Sequence, residues 1–272
     1  MSWRFLFLVA LTFSVSLGKE PLFSHAEPVA QSSIQVIPKL AQIYLDYGRR
    51  AWEKLSRGDN QEAIFDYNEA IRLKPDYTDG YLNRGLAKYN LGDKKGSIND
   101  YNESILLKFD YALAYYNRGI SKSDLGDNQG AISDYSKAIK INRNWGTRSL
   151  DNAYYGRGVA KYNSGDNQGA IADYNQAIKI KYTYVDAYYG RGNAKYLLGD
   201  NQGAIADYNE SIRLKSDYAY AYYGRASAKN LLGDLQGALA DLRRASQLLM
   251  QQGNTEWHQN VLKRIDEIER SL

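Results

Sequence analysis

Residues 165–177 read Gly-Asp-Asn-Gln-Gly-Ala-Ile-Ala-Asp-Tyr-Asn-Gln-Ala, and versions of that run recur along the chain. Its opening pair stands at Gly58-Asp59, Gly92-Asp93, Gly126-Asp127, Gly165-Asp166, Gly199-Asp200 and Gly233-Asp234. Successive glycines lie 34, 34, 39, 34 and 34 residues apart, a series that chance does not produce. With the glycine set at place 15 of a 34-residue unit, the units begin at Tyr44, Thr78, Ala112, Asp151, Val185 and Ala219. Place 8 is then small throughout (Ala51, Gly85, Gly119, Gly158, Gly192, Ala226), and so are place 20 (Ala63, Ser97, Ala131, Ala170, Ala204, Ala238) and place 27 (Ala70, Ser104, Ala138, Ala177, Ser211, Ala245). Place 24 is Tyr67, Tyr101, Tyr135, Tyr174, Tyr208 and Leu242.

Two antiparallel helices approach closely only where one side chain is nearly absent, and a large aromatic fills the space beside each small residue. Here aromatics at places 4 and 24 are expected to do so. Gly-Asp stops the first helix and supplies a carboxylate at the start of the second. Each unit is therefore helix A, tight turn, helix B. No unit can bury its faces alone, so the units stack.

This pattern resembles the tetratricopeptide repeat family, whose 34-residue helix–turn–helix units carry an aromatic, Leu-Gly, Ala, aromatic, Ala and Pro at set places. The Asp-Asn-Gln-Gly-Ala-Ile turns at 127–132, 166–171 and 200–205 are similar to those of bacterial, in particular cyanobacterial, members. The resemblance implies an all-α, right-handed α-solenoid of six repeats at 44–77, 78–111, 112–145, 151–184, 185–218 and 219–252, with an insertion at 146–150. Two departures stand out: place 7 is Arg where the family has Leu, and the Pro of place 32 survives only as Pro75.

Beyond the last repeat, Gly253-Asn254 ends a helix, and Asn254 or Thr255 can cap the next. There Trp257, Val261, Ile265 and Ile268 share one face at helical spacing, which predicts a capping helix over 253–272. At the other end Pro38 is expected to open a helix leading into Tyr44–Leu55, after a flexible lead that starts at Glu27. Before it, Phe5–Gly18 carries no charge, and Arg4 precedes it. Fourteen residues are short for a membrane helix, which needs about 20, and suit a signal-peptide core. Cleavage is expected after Ala26, with Ser16-Leu17-Gly18 the second option, giving an exported chain, periplasmic or secreted. An uncleaved segment would instead anchor the chain to a membrane through residues 5–18.

Composition narrows function. A 272-residue chain would ordinarily be two domains at about 150 residues each, but a repeat array escapes that rule. Lys+Arg number 35 against 31 Asp+Glu, a net charge of +4, which argues against nucleic acid as a partner. The absence of cysteine excludes disulfides, thiol catalysis and cysteine-held metals, and two histidines (His25, His258) are too few for most triads or metal clusters. Each Gly-Asp-x-x-Gly is a repeat turn, not a phosphate or calcium loop. No cofactor and no metal are expected, and no catalytic residues emerge. The Asn-Glu-Ser sequons at Asn102 and Asn209 fall inside helix B and read as accidental. Tyrosine is the unusual count, at 25.

Charges recur as well. Place 7 is Arg50, Arg84, Arg118, Arg157, Arg191, Arg225; place 11 is Lys54, Lys88, Lys122, Lys161, Lys195, Lys229; place 23 is Asp66, Asp100, Asp134, Asp173, Asp207, Asp241. They predict an exposed Arg–Asp ladder joining helices A and B of adjacent units, worth about 0–1 kcal/mol per rung.

The resemblance places the inner groove on helix A, with places 2, 5, 9 and 12 facing in. Place 5 supplies Tyr116, Tyr155, Tyr189 and Tyr223, and place 12 supplies Tyr89, Tyr162 and Tyr196, with Asn83 and Asn117 at the edge from place 6. Such a groove would be a tyrosine ladder, apolar toward the N-terminal end, able to hold a peptide or protein segment. The same tyrosines could instead be packing residues of an aromatic-rich repeat. A carboxylate clamp of the co-chaperone kind is not expected: the positions it needs are occupied by Gly48, Trp52, Asn83, Leu113 and Asn117, of which only Asn83 matches. The function expected is a non-catalytic interaction scaffold. The alternatives are a structural or self-associating array that binds through its convex face and, least supported, a hydrolytic enzyme. The insertion after Trp145 is either a tolerated loop or a hinge dividing the array three plus three.

Overall fold

The computed structural model of the chain describes residues 28–142 and 149–271, with side chains from residue 42 onward. The signal-peptide expectation, and that for Trp145 and most of the insertion, fall outside the described residues. Two units are distinguished, Met1–Gln42 and Ile43–Leu272, and helix α1 (Pro28–Arg57) contributes to both. It starts at Pro28, ten residues before the expected Pro38, so residues 28–37 are helical where a flexible lead was expected. Proline fits the first helical position because that amide has no intrahelical partner; inside a helix it removes one donor without necessarily ending the run. No helix among the described residues is long and apolar enough to cross a membrane.

The second unit is built from helix pairs. Each B helix follows its A helix across a Gly-Asp turn: α2 (Asn60–Leu73) follows α1, α3 (Thr78–Asn90) leads to α4 (Lys94–Leu107), and α5 (Ala112–Asp124) to α6 (Asn128–Ile141). After the insertion come α7 (Leu150–Asn163) with α8 (Asn167–Ile180), α9 (Val185–Leu197) with α10 (Asn201–Leu214), and α11 (Ala219–Leu231) with α12 (Leu235–Gln251). Helix α13 (Thr255–Glu269) closes the series. From α3 onward, each A helix packs on its own B helix and on the B helix before it. Successive A helices also touch (α3 with α5, α5 with α7, α7 with α9, α9 with α11), whereas successive B helices do not to a like extent among the described residues. Helix A therefore lines the inner side of an α-solenoid.

The turn chemistry holds in detail. The place-15 glycines all adopt positive φ, from 81° at Gly233 to 88° at Gly58, a left-handed conformation costly for a residue with a side chain. The following Asp accepts a hydrogen bond from the amide three residues on, as Asp166 Oδ1 does from Gly169 N at 2.8 Å. Glycine is needed at that third position, because a Cβ on Gly169 would lie 2.0 Å from Asp166 Oδ2. Where the first repeat has Glu62 there, Asp59 makes no side-chain cap.

Between the helices the place-24 tyrosine is the keystone. Tyr174 is 2% exposed and packs against Gly158 of its own repeat and Gly190 of the next, where added Cβ atoms would both come within 2.8 Å of its ring. This explains the glycines at place 6 in the later repeats, which lie under a neighbour's tyrosine. The place-4 tyrosines, expected to fill the same kind of gap, instead lie under the place-7 arginine of their own helix, Arg157 at 5.5 Å from the Tyr154 centroid being typical. At the C-terminal end, where place 24 is Leu242, the core continues through Leu248 and Leu249 into Val261 and Ile268 of α13, with Ile265 half-buried beside them. Asn254 caps that helix through Trp257 N at 3.2 Å, and the covering role expected for it is met.

The charge ladder differs from expectation in two ways. Its rungs close within a repeat: Asp173 accepts from Arg157 Nε and Nη2 at 2.8 and 2.6 Å and from Lys161 Nζ at 2.8 Å, all in the fourth repeat. The aspartates are also buried, 2–5% exposed at place 23, so the rungs are not surface pairs. Places 7 and 23 oppose each other across one antiparallel hairpin, which leaves no reach to the neighbouring aspartate. Contact between repeats comes from the other arginine nitrogen. Arg84 Nη1 donates to Asn68 Oδ1, Arg118 to Asn102, Arg191 to Asn175 and Arg225 to Asn209, at 2.6–2.7 Å, and Arg157 Nη1 donates to Ser136 Oγ at 3.0 Å. The two sequon asparagines are thus structural acceptors.

Candidate functional site

The inner surface is formed by places 2, 5, 9 and 12 of α1, α3, α5, α7, α9 and α11. Not all the expected tyrosines are open on it. Tyr116 is 6% exposed and packed on Tyr135 with ring centroids 5.8 Å apart, and Asn117 is equally buried. Tyr89 is half-buried and its hydroxyl donates to Asp124 at 2.7 Å. Tyr223 stacks edge-on to Trp257 of the capping helix at 5.7 Å. Asn83 borders a hollow at the N-terminal end. Tyr196 is half-buried and packs against the core around Tyr208 and Ala228. Tyr155, Tyr162 and Tyr189 together line a second hollow.

The N-terminal hollow encloses about 520 Å³ among Leu45, Gly48, Arg49, Trp52, Tyr77, Asp79, Leu82, Asn83, Tyr111 and Leu113. Its most open apolar wall is Trp52, 53% exposed. Gly48 and Gly80 are small because Tyr77 lies on them: Cβ atoms there would approach its ring or hydroxyl to 2.6 and 2.4 Å. Leu45, Trp52, Leu82 and Leu113 give this hollow an apolar wall beside Arg49, Asp79 and Asn83. The second hollow, about 190 Å³, is walled by Tyr155, Val159, Tyr162, Tyr174, Tyr189 and Gly190, with Asn163, Asp186 and Asn193 as polar groups. Burial, with the Asp186 charge as the second cause, pushes the Tyr155 hydroxyl up to about 12. Tyr189 is also raised, mainly by burial.

A second series of inner tyrosines escaped the sequence reading. Tyr77, Tyr111, Tyr184 and Tyr218 occupy the last place of their repeats. Tyr184 lies 4.9 Å from Tyr155 and Tyr218 lies 5.2 Å from Tyr189, ring to ring. Place-2 groups meet the hydroxyls of three of them: Tyr111 donates to Asp79 at 2.9 Å, Tyr184 donates to Asn152 at 3.1 Å, and Tyr218 interacts with Asp186. A lysine three residues earlier covers the ring in three cases, Lys108, Lys181 and Lys215 at 4.5–5.2 Å. The signal was the recurrence of Lys-x-x-Tyr immediately before a repeat start. Outside this surface, His258 of α13 has Nδ1 at 3.0 Å from Ser246 Oγ and 3.1 Å from Ser246 O, which ties it to α12.

Family models described as TPR repeat match residues 53–92, 158–199 and 192–233, and models described as tetratricopeptide repeat match 78–111 and 112–144. The chain is a tetratricopeptide repeat protein. Among curated proteins no sequence matches it. In solved structures, this tetratricopeptide repeat array resembles PilW, described as a widely conserved type IV pilus biogenesis factor, with a TM-score of 0.70 and 17% identity over 81% of this chain and 99% of that one. Pseudomonas aeruginosa pilF gives 0.68 and 12%, over 83% and 99% of the two chains. YrrB, described as a TPR protein with an unusual peptide-binding site, gives 0.57 and 16%, over 67% and 91%. At these identities the likeness shows the fold alone. Tetratricopeptide repeat proteins bind proteins or peptides, the coarse function the chain shares.

Proposed function

We propose that this chain is a non-catalytic adaptor that holds a peptide or protein segment along its tyrosine-lined inner groove, in an exported compartment. The observation that carries this is the pair of hollows on the helix-A surface, one walled by Trp52 and leucines, the other by Tyr155, Tyr162 and Tyr189. Exposed or half-exposed aromatics with hydroxyls are the side chains that give most binding energy per ordered residue. YrrB, which shares the fold, is described as having a peptide-binding site, in keeping with this use of it. The export proposal rests on the uncharged Phe5–Gly18 core and the Ser24-His25-Ala26 site. N-terminal sequencing of the chain recovered from cell fractions should begin at Glu27; an intact Met1 in the cytoplasmic fraction would refute it.

Groove binding is tested by immobilising the chain and capturing partners from its source cells, in parallel with Trp52→Ser/Tyr162→Ser. These positions are chosen because Trp52 is exposed and Tyr162 only half-buried, so the fold should survive, as circular dichroism can verify. A partner lost with the variant supports the groove. A partner retained by both moves the interface to the helix-B side, where Phe65, Leu106 and Phe109 stand 64%, 78% and 77% exposed.

A further inference from the structure

Resting on that groove reading, we infer that the hollow bounded by Tyr155, Tyr162, Tyr189 and Asp186 receives a cationic side chain, lysine or arginine, of the bound segment. Three observations lead there. At about 190 Å³ the hollow is below the roughly 300 Å³ at which small-molecule sites begin, and suits a single side chain. Four tyrosines, Tyr155, Tyr162, Tyr174 and Tyr189, stand in its walls, and the faces of such rings attract a cation. Its one charged lining residue is Asp186, an exposed place-2 carboxylate.

The basic residues of the flanking helices do not neutralise this carboxylate. On α9, Arg191 and Lys195 are committed to Asp207 at 2.5–2.9 Å; on α7, Arg157 and Lys161 are committed to Asp173 at 2.6–2.8 Å. The ladder thus takes up the cations of both helices; Lys181 and Lys215 lie instead on the rings of Tyr184 and Tyr218, and Asp186, which also meets the Tyr218 hydroxyl, brings a negative charge to an otherwise uncharged lining. The N-terminal hollow lacks this property, since Arg49 stands in its lining together with Asp79. The raised Tyr155 hydroxyl agrees, Asp186 being the second cause after burial. A cation entering along the rings would meet Asp186 and stay partly desolvated, the condition in which cation–π attraction is strongest.

The test uses the full chain, with N-acetyl-lysine methylamide and its uncharged counterpart N-acetyl-norleucine methylamide as probes in NMR titrations. The lysine probe should perturb signals around Tyr162 and bind about tenfold more tightly than norleucine, and Asp186→Asn should abolish that preference. Tyr162→Phe, which keeps the ring, should preserve it, and Tyr162→Leu should weaken lysine binding several-fold. Equal binding of norleucine, or a preference that survives Asp186→Asn, overturns the cationic assignment while the partner capture above still decides the groove. If neither probe perturbs the hollow at concentrations on the order of 50 mM, the assignment falls as well. A captured partner lost with Trp52→Ser/Tyr162→Ser but indifferent to Asp186→Asn would refute this inference alone.

Discussion

Asp173→Asn removes one charge from the centre of the fourth repeat and leaves Arg157 and Lys161 facing a group that carries a donor. Asp173 is 3% exposed and receives three donors at 2.6–2.8 Å. Removing one partner of a buried ion pair costs about 3–5 kcal/mol when the other is fully trapped. Here the arginine and lysine side chains keep 18% and 19% exposure and can turn partly to water. The loss should therefore be about 2–4 kcal/mol, well above the 0–1 of a surface pair. At about 2–4 °C per kcal/mol for a chain of this size, the melting temperature should fall by roughly 5–15 °C. Thermal melts followed by circular dichroism at 222 nm read this directly, and repeating them in high salt separates a buried rung from a screened surface pair. A companion variant, Arg157→Leu/Lys161→Leu/Asp173→Leu, should lose less than the single substitution, because a charge left without its partner costs more than an apolar triad. A fall below about 2 °C for Asp173→Asn, or a triple variant worse than the single, would refute the reasoning.

Gly190→Ala would place a Cβ 2.8 Å from the Tyr174 ring. The shift of that keystone should cost about 1–3 kcal/mol despite alanine's better helix propensity, and a variant melting at or above the parent would contradict the packing described. In alkali, Tyr135, Tyr174 and Tyr208 are all raised above the ordinary tyrosine value of about 10, burial being the first cause. A tyrosine whose folded pKa lies above its unfolded one adds stability that is complete below about pH 10 and lost as pH rises beyond it. Tyrosinate absorbance near 295 nm from these residues should thus appear together with loss of helical signal; ionisation of all 25 tyrosines before unfolding would refute it. Ile268→Ala, at 4% exposure in the α13 interface, should cost about 2–5 kcal/mol and melt the last repeat ahead of the others, visible as earlier exposure of Trp257 fluorescence.

The repeat places of Gly, Asp and the small residues determined the helix pairs, their turns and their stacking, since each follows from backbone geometry within a few residues. Gly165 needs no knowledge of a neighbour to take a positive φ, nor Asp166 to cap α8. The candidate groove was legible only as a list of tyrosines. Tyr116 and Tyr155 share place 5, yet one is buried and the other borders an open hollow, and no local pattern separates them. Burial is set by side chains remote in the sequence, such as the Tyr184 ring, which reaches Tyr155 from the far end of the same repeat. The ladder shows the same division. Its period announced that Arg, Lys and Asp belong together, while only the packed hairpin decided that Asp173 meets the arginine of its own repeat. An antiparallel helix pair brings places 7 and 23 face to face across one interface, so each arginine closes on the aspartate of its own repeat.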